Sequence, residues 1–207
     1  MIEFAAPAPP AAAQSEAQIE EGEIQSAYTR LEACEEIEGP ALVNERCEGY
    51  GGWTVYVGAS DHSAGLAFSE RARDEQMMQR PVTRGAFQSF ASTLEWRVRR
   101  TGEAWVPFAT IHRWTASTPI YDEAAGDFTG EMEVHEHVLA VAALREDGPI
   151  GACHIAYVDV SEVYDANTVA RAAADLDADL FRCGFDDPVR IGAGEAVRIM
   201  ARAGLDY

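Results

Sequence analysis

The chain has no lysine. All sixteen basic residues are arginine, which excludes Schiff-base chemistry on a lysine and the lysine of a phosphate-binding P-loop. No apolar run in the 207 residues reaches the roughly eighteen that a membrane-crossing helix needs. No C-x-x-C pair is present, and no cysteine stands at zinc-finger spacing from a histidine, so a structural zinc site is disfavoured. Ser63 follows Asp61 and His62, but adjacency along the chain is not triad geometry, and no G-x-S-x-G elbow surrounds it. "IGAGEA" (191–196) has neither the third glycine nor the preceding strand of a dinucleotide loop, and reads as the turn before a short terminal helix, "EAVRIMARAGL". No repeat of solenoid or propeller period is visible.

What the chain has in excess is acid. Thirty-five acidic residues against sixteen basic ones give a formal charge of −19. Nucleic acid and anionic membrane surfaces are repelled by such a charge, and cationic partners are attracted. A solvated, solubilising surface is the plainer account of the same excess. The length and a hydrophobic share of 47% suit one core rather than two.

Residues 1–26 differ from the rest. "MIEFAAPAPPAAAQSEAQIEEGEIQ" has no basic n-region and no apolar h-region of signal-peptide length, and Pro7, Pro9 and Pro10 bar a continuous helix. It reads as a flexible Ala/Pro-rich acidic tail ahead of a single α+β domain over 27–207, whose last residues, 188–207, form a short helical appendage.

The cysteines carry the argument about compartment. Cys34, Cys47, Cys153 and Cys183 form an even, spread-out set. Four buried free thiols in a reducing compartment are one possibility, but the pattern favours two disulfides and hence export. Of the three connectivities open to four cysteines, 34–47 with 153–183 closes the two most local loops, each contributing roughly 3 kcal/mol through the unfolded state.

Strand signals follow. "GGWTVYVGAS" (51–60) sets Trp53, Val55 and Val57 against Thr54 and Tyr56. "TLEWRVRR" (93–100) and "WVPFATIHRW" (105–114) flank "TGEA" as a hairpin with one face packed and one wet. "EHVLAVAALREDG" and "GACHIAYVDV" (151–160) form another around Asp147-Gly148-Pro149. The pattern predicts about six chiefly antiparallel strands. A helix begins after Asp165, a candidate N-cap, with Val169, Ala173, Leu176, Leu180 and Cys183 as its buried stripe and Asp175, Asp177 and Asp179 off it. The predicted fold is α+β, a mainly antiparallel sheet with a C-terminal helix packed on one face and stapled to it through Cys183 and Cys153.

That geometry weighs against a thiol enzyme. Neighbours on a strand point to opposite faces, so Cys153, sharing a face with Ile155 and Tyr157, cannot pair with His154, and an oxidised cysteine offers no thiolate. Metal is the sharper rival. In "EMEVHEHVLAV", His135 and His137 lie two apart at a strand start, so both imidazoles should project the same way, with Glu131, Glu133, His112, or Asp61 and His62 available to complete a divalent transition-metal sphere. Histidines alternating with acids on a solvated face are the plainer reading, because an H-x-H pair alone is a weak signal. "DEAAGDFTGEME" (122–133) does not match the calcium loop of an EF-hand.

"RCEGYGGWTVYV" (46–57), "TLEWRV" (93–98), "PFATIHRW" (107–114) and "CHIAYVDVSEVYDANTVARAAAD" (153–175) together resemble segments of a group of small, uncharacterised four-cysteine exported (periplasmic) proteins of proteobacteria. The resemblance spans roughly residues 27–183. It implies a periplasmic location and an α+β domain, and no activity. Two functional classes then compete. One is a non-enzymatic periplasmic binding or inhibitor module for a cationic protein, the physical solution used by inhibitors of basic lysozymes, with Tyr50 to Trp53 a candidate aromatic anchor, although a Trp buried at a strand start is the plainer role for Trp53. The other is a metal-binding protein or metal-dependent hydrolase using His135 and His137. A purely structural envelope component is a third.

Overall fold

The computed structural model of the protein describes residues 22–39, 43–59, 64–70, 88–145 and 151–203. In chain order the strands are β1 (Ile24–Arg30), β2 (Glu35–Glu36), β3 (Val43–Glu48), β4 (Thr54–Ala59), β5 (Ala64–Ser69), β6 (Gln88–Thr101), β7 (Ala104–Asp122), β8 (Asp127–Leu144), β9 (Ala152–Asp159) and β10 (Val189–Ile191). Helix α1 (Ala166–Asp177) lies between β9 and β10, and α2 (Glu195–Ala203) follows β10. Among the described residues neither helix, at 12 and 9 residues, is long enough to cross a membrane.

Two sheets form instead of the single one expected. The larger runs in the order β1-β6-β7-β8-β9-β10, and the smaller is β2-β3-β4-β5. The larger is mixed, because β10 lies parallel to β9. β1 begins at Ile24, inside the segment read as tail, and pairs with β6 along its whole length. The smaller sheet escaped the pattern because β3 carries Asn44, Glu45 and Arg46 between its apolar ends and β5 opens on Ala-Gly, so neither shows a clean alternation.

The sheets bury their facing sides against each other. Cys47, Trp53, Val55, Val57, Leu66 and Phe68 of the smaller sheet and the turn before β4 meet Leu94, Trp96, Val98, Trp114 and Val138 of the larger in one core. Phe68 and Trp96 stand edge to face at 6.0 Å. Trp53 is thus a core residue and not an exposed anchor. α2 adds Ala196, Val197, Met200 and Ala201 to the same core.

The other face of the large sheet is covered by α1, and the stripe it buries is not the one expected. Ala166, Ala170, Ala174 and, just past the helix, Ala178 pack on Ala109, Ile111, Leu139, Val141, Ala143 and Val158, while Leu176 and Leu180 are exposed. Methyl-sized side chains let the helix lie close to the sheet, and ion pairs hold it in that rotation. Arg97 grips Asp175 in a two-point bond (2.8 and 2.7 Å), Arg99 meets Asp179 at 2.7 Å, and Arg171 reaches Glu95 at 2.6 Å. The Glu95/Arg97 side of β6, expected to be wet, is therefore buried under the helix. Arg145, just past the end of β8, donates to the Ala178 and Phe181 carbonyls at the helix end, supplying the cation that the helix's own last turn lacks. Asp165 precedes the helix in a left-handed conformation (φ 55°) without a side-chain cap.

Both disulfides form as expected, Cys34–Cys47 across 13 residues and Cys153–Cys183 across 30. Cys183 lies in the turns beyond the end of α1, so the second bridge ties that turn region to the start of β9. Replacing Cys153 and Cys183 together by serine is expected to destabilise the protein by about 3 kcal/mol. Urea unfolding without reductant checks this, and an unchanged midpoint would contradict it.

Candidate functional site

The strand that carries Cys153 and His154 shows what the interior can and cannot do chemically. A register slip between Val141 and Ala142 places an extra residue in β9 at Ile155. Cys153, Ile155, Ala156 and Val158 therefore face α1, whereas Tyr157 turns to the inter-sheet core and shares a 2.7 Å hydrogen bond with Nδ1 of His154. Tyr157 is thus on the histidine's side and not, as the plain alternation implied, on the cysteine's. Every cysteine is in a disulfide, so no thiolate is available.

His112 stands two strands across, on β7, in the row His112, Ala140, Tyr157. Its Nε2–H donates to the Ala91 carbonyl at 2.6 Å, and its ring lies between Phe90 and Trp114. Nδ1 has no hydrogen-bond partner among the described residues. Burial pushes His112 down from 6.5 to about 4, and burial together with the nearby His112 pushes His154 to about 4. Both rings are neutral at physiological pH, His112 buried in the core and His154 half-buried beside Tyr157.

The H-x-H pair is split by a bulge. β7 pairs Thr115 with His137 and Ser117 with Val134, so β8 advances three residues while β7 advances two. Nδ1 of His137 bonds the Thr115 hydroxyl (2.8 Å) and Nε2 of His135 bonds the Thr118 hydroxyl (2.9 Å). Residues three apart on a regular strand face opposite ways, so the two imidazoles lie on opposite faces. Among the described residues no group of three metal-binding side chains assembles. Asp61, His62 and Ser63 lie outside the described residues.

The same hairpin carries a feature the sequence reading treated as a polar loop. β7 has 19 residues and β8 has 18, and their described neighbours accompany only part of that length. The described part of β6 begins at Gln88, opposite Ala116, and β9 ends at Asp159 opposite Val138. Among the described residues, 117–134 pair only with each other, as a two-stranded arm roughly 20 Å long at about 3.4 Å per residue. Its tip is well specified: Asp122 Oδ1 accepts from the Ala124 and Ala125 N–H groups, and Gly126, at φ 71°, closes the turn.

Ser117, Pro119 and Tyr121, two apart on β7, stand opposite Val134, Met132 and Phe128, so these side chains share one face. Phe128 is 59% and Val134 66% exposed, and Tyr121 meets Phe128 edge to face at 5.2 Å. The arm also carries Asp122, Glu123, Asp127, Glu131 and Glu133 with no basic residue, and none of the five forms an ion pair among the described residues. An exposed apolar face rimmed by charge without an ion-pair partner among the described residues is the surface pattern of an interaction site, and a two-stranded ribbon is marginal in water until something packs on it. The strict alternation of "GEMEVHEHV" was the signal for a strand here; that neighbouring strands would stop short of it was not readable.

At the arm's root, the fully buried Asp159 fixes the corner where β9 ends. Its Oδ1 accepts from the Ser161 N–H (2.9 Å) and hydroxyl (2.6 Å) and from the Glu162 N–H (3.2 Å), and its Oδ2 accepts from the Gly194 N–H (2.9 Å). Burial alone raises its carboxyl pKa, but these bonds outweigh it and hold the group below the ordinary carboxylate value. A β-carbon at Gly192 or Gly194 would overlap the Asp159 side chain, which is why "IGAGEA" carries two glycines there.

The fold and site define a disulfide-stapled two-sheet domain with one projecting acidic-apolar arm. Comparison with family models, curated proteins and solved structures finds no match.

Proposed function

We propose that the protein is a non-enzymatic binding or inhibitor module of the periplasm, and that it docks a cationic protein partner through the arm 117–134. The observation that carries this reading is the arm itself: five carboxylates, no base, and an open apolar face on a ribbon with no sheet neighbours among the described residues. Charge at −19 steers such a partner in and sets the salt dependence, while the apolar face supplies contact area. Periplasmic inhibitors of basic lysozymes are a physical analogue. Two disulfides support export to an oxidising compartment, and the resemblance to exported four-cysteine proteins points the same way.

The test is calorimetric titration with a panel of basic proteins, a lysozyme among them. A complex is expected whose affinity falls at least about tenfold between roughly 50 and 300 mM salt. A variant with residues 119–132 replaced by a short Asn-Gly turn should keep the fold and lose the binding. Equal binding by the arm-less variant, or no binding by either, overturns the proposal.

A further inference from the structure

Resting on that reading, we infer that the arm captures its partner by strand addition: an extended segment of alternating basic and apolar residues pairs with the outer edge of β8 at Glu131–Val134, in line with the end of β9.

Three observations choose this edge. The first is vacancy. The β9 line runs beside β8 as far as Val138, with one last bond from the Val160 N–H to the His137 carbonyl at 3.0 Å. There the Asp159 corner turns the chain out of the sheet plane into α1. Among the described residues nothing pairs with β8 on that side beyond this point, so among them the backbone groups of residues 132–134 that point away from β7 form an open row, while the Glu131 N–H donates to the Thr129 hydroxyl at 3.1 Å.

The second is the contrast with β7. The outer edge of β7 in the arm carries Pro119, which pairs opposite Met132 on its inner side. A proline within a ladder sits with its nitrogen to the outside, so β7 presents a ring where an incoming strand needs a donor. β8 contains no proline over Asp127–Leu144. One edge of the arm carries a proline and the other, among the described residues, has none and no partner.

The third is the side-chain pattern. In the regular stretch Glu133 stands between Met132 and Val134 and faces the other way, and Glu131 adds a second exposed carboxylate at the register shift just before them. An added strand with its cations on the glutamate face and its apolar residues on the Met132/Val134 face satisfies both at once. Main-chain bonds then supply affinity and the alternation supplies selectivity, which separates this mode from a merely electrostatic encounter. The slip at residues 135–136 on one side and the shift at residues 129–131 on the other limit the regular stretch to Met132–Val134, so the captured segment is short.

The probe is a blocked octapeptide alternating arginine and valine, compared with an octapeptide of the same composition in which the four arginines precede the four valines. The full protein is expected to bind the alternating peptide at least about tenfold more tightly, with slowed amide exchange confined to residues 131–134 and their flanks. The Glu131→Arg/Glu133→Arg double variant, altered only at exposed positions, should lose at least about tenfold in affinity. Equal affinity for the two peptides, or binding without amide protection, overturns strand addition while leaving charge-driven docking by the arm intact. Amides of 131–134 already protected in the free protein also overturn it, since the edge is then occupied by the chain's own residues. Binding of neither peptide, together with failure of the basic-protein titration above, removes both readings.

Discussion

Lowering the pH from about 7 to about 4.5 is expected to remove about 4 kcal/mol of stability and to lower Tm by about 10 °C. The cause is the pair of core histidines. In the unfolded chain each titrates near 6.5, and in the folded protein near 4. Between those values the unfolded chain holds more protons, so each fall in pH pulls the equilibrium towards it; the stabilisation is complete above 6.5 and gone below 4. His112, only 3% exposed, accounts for about 3 kcal/mol at 1.36 kcal/mol per pH unit. His154 is half-buried, and solvent screening reduces its share to about 1 kcal/mol.

Two other effects separate cleanly from this one. Protonating surface carboxylates relieves repulsion in a chain of charge −19, which acts in the opposite direction. Asp159, whose carboxyl is held below its ordinary 3.8, contributes stability that is lost only as pH falls below that value, outside the window. The variant His112→Phe keeps an aromatic ring between Phe90 and Trp114 and should flatten more than half of the fall. Thermal unfolding at the two pH values decides it, and a Tm that holds or rises on acidification would contradict the assignment of both rings to the core.

How much of this was legible in the sequence follows from what alternation can and cannot encode. β4 and the β6–β7 hairpin were readable because Trp53/Val55/Val57 and Leu94/Trp96/Val98 alternate with polar residues and a Gly102-Glu103 turn sits between strands. The disulfides were readable because the local loops they close were the economical ones. The buried stripe of α1 was not, because alanines weigh little in a hydrophobic pattern, and the ion pairs of Asp175 and Asp179 to β6 were invisible until β6 was placed beneath them. Bulges defeated the two face assignments that mattered for chemistry. One at Ile155 moved Tyr157 to the side of His154, and one at residues 135–136 separated His135 from His137. A bulge is a one-residue insertion with no fixed residue type, so period-two reasoning runs through it unaware. The arm posed a further problem: its alternation marks a strand, but exposure depends on where β6 and β9 stop, which is a property of other segments.

Replacing Asp159 by alanine is expected to cost about 5 kcal/mol, among the largest effects of any single change in the protein. Its carboxylate takes four hydrogen bonds with no solvent access, and truncation leaves the Ser161, Glu162 and Gly194 N–H groups without their acceptor at a point where the β9 corner and the loop before α2 meet. Asparagine distinguishes the roles of the two oxygens. Its single carbonyl can serve Ser161 and Glu162, but its amide then points at the Gly194 N–H, donor against donor, so Asp159→Asn should recover about half of the loss. Gly194→Ala attacks the same contact from the other side by steric overlap, and the two changes combined should cost less than their sum because they break one junction. Urea midpoints at neutral pH measure all three. A loss under about 1 kcal/mol for Asp159→Ala would show that the corner is not held by this side chain. The same corner turns the chain out of the sheet before β9 can run alongside the arm, so the residue that stabilises the fold there also ends the β9 pairing that would otherwise cover the β8 edge.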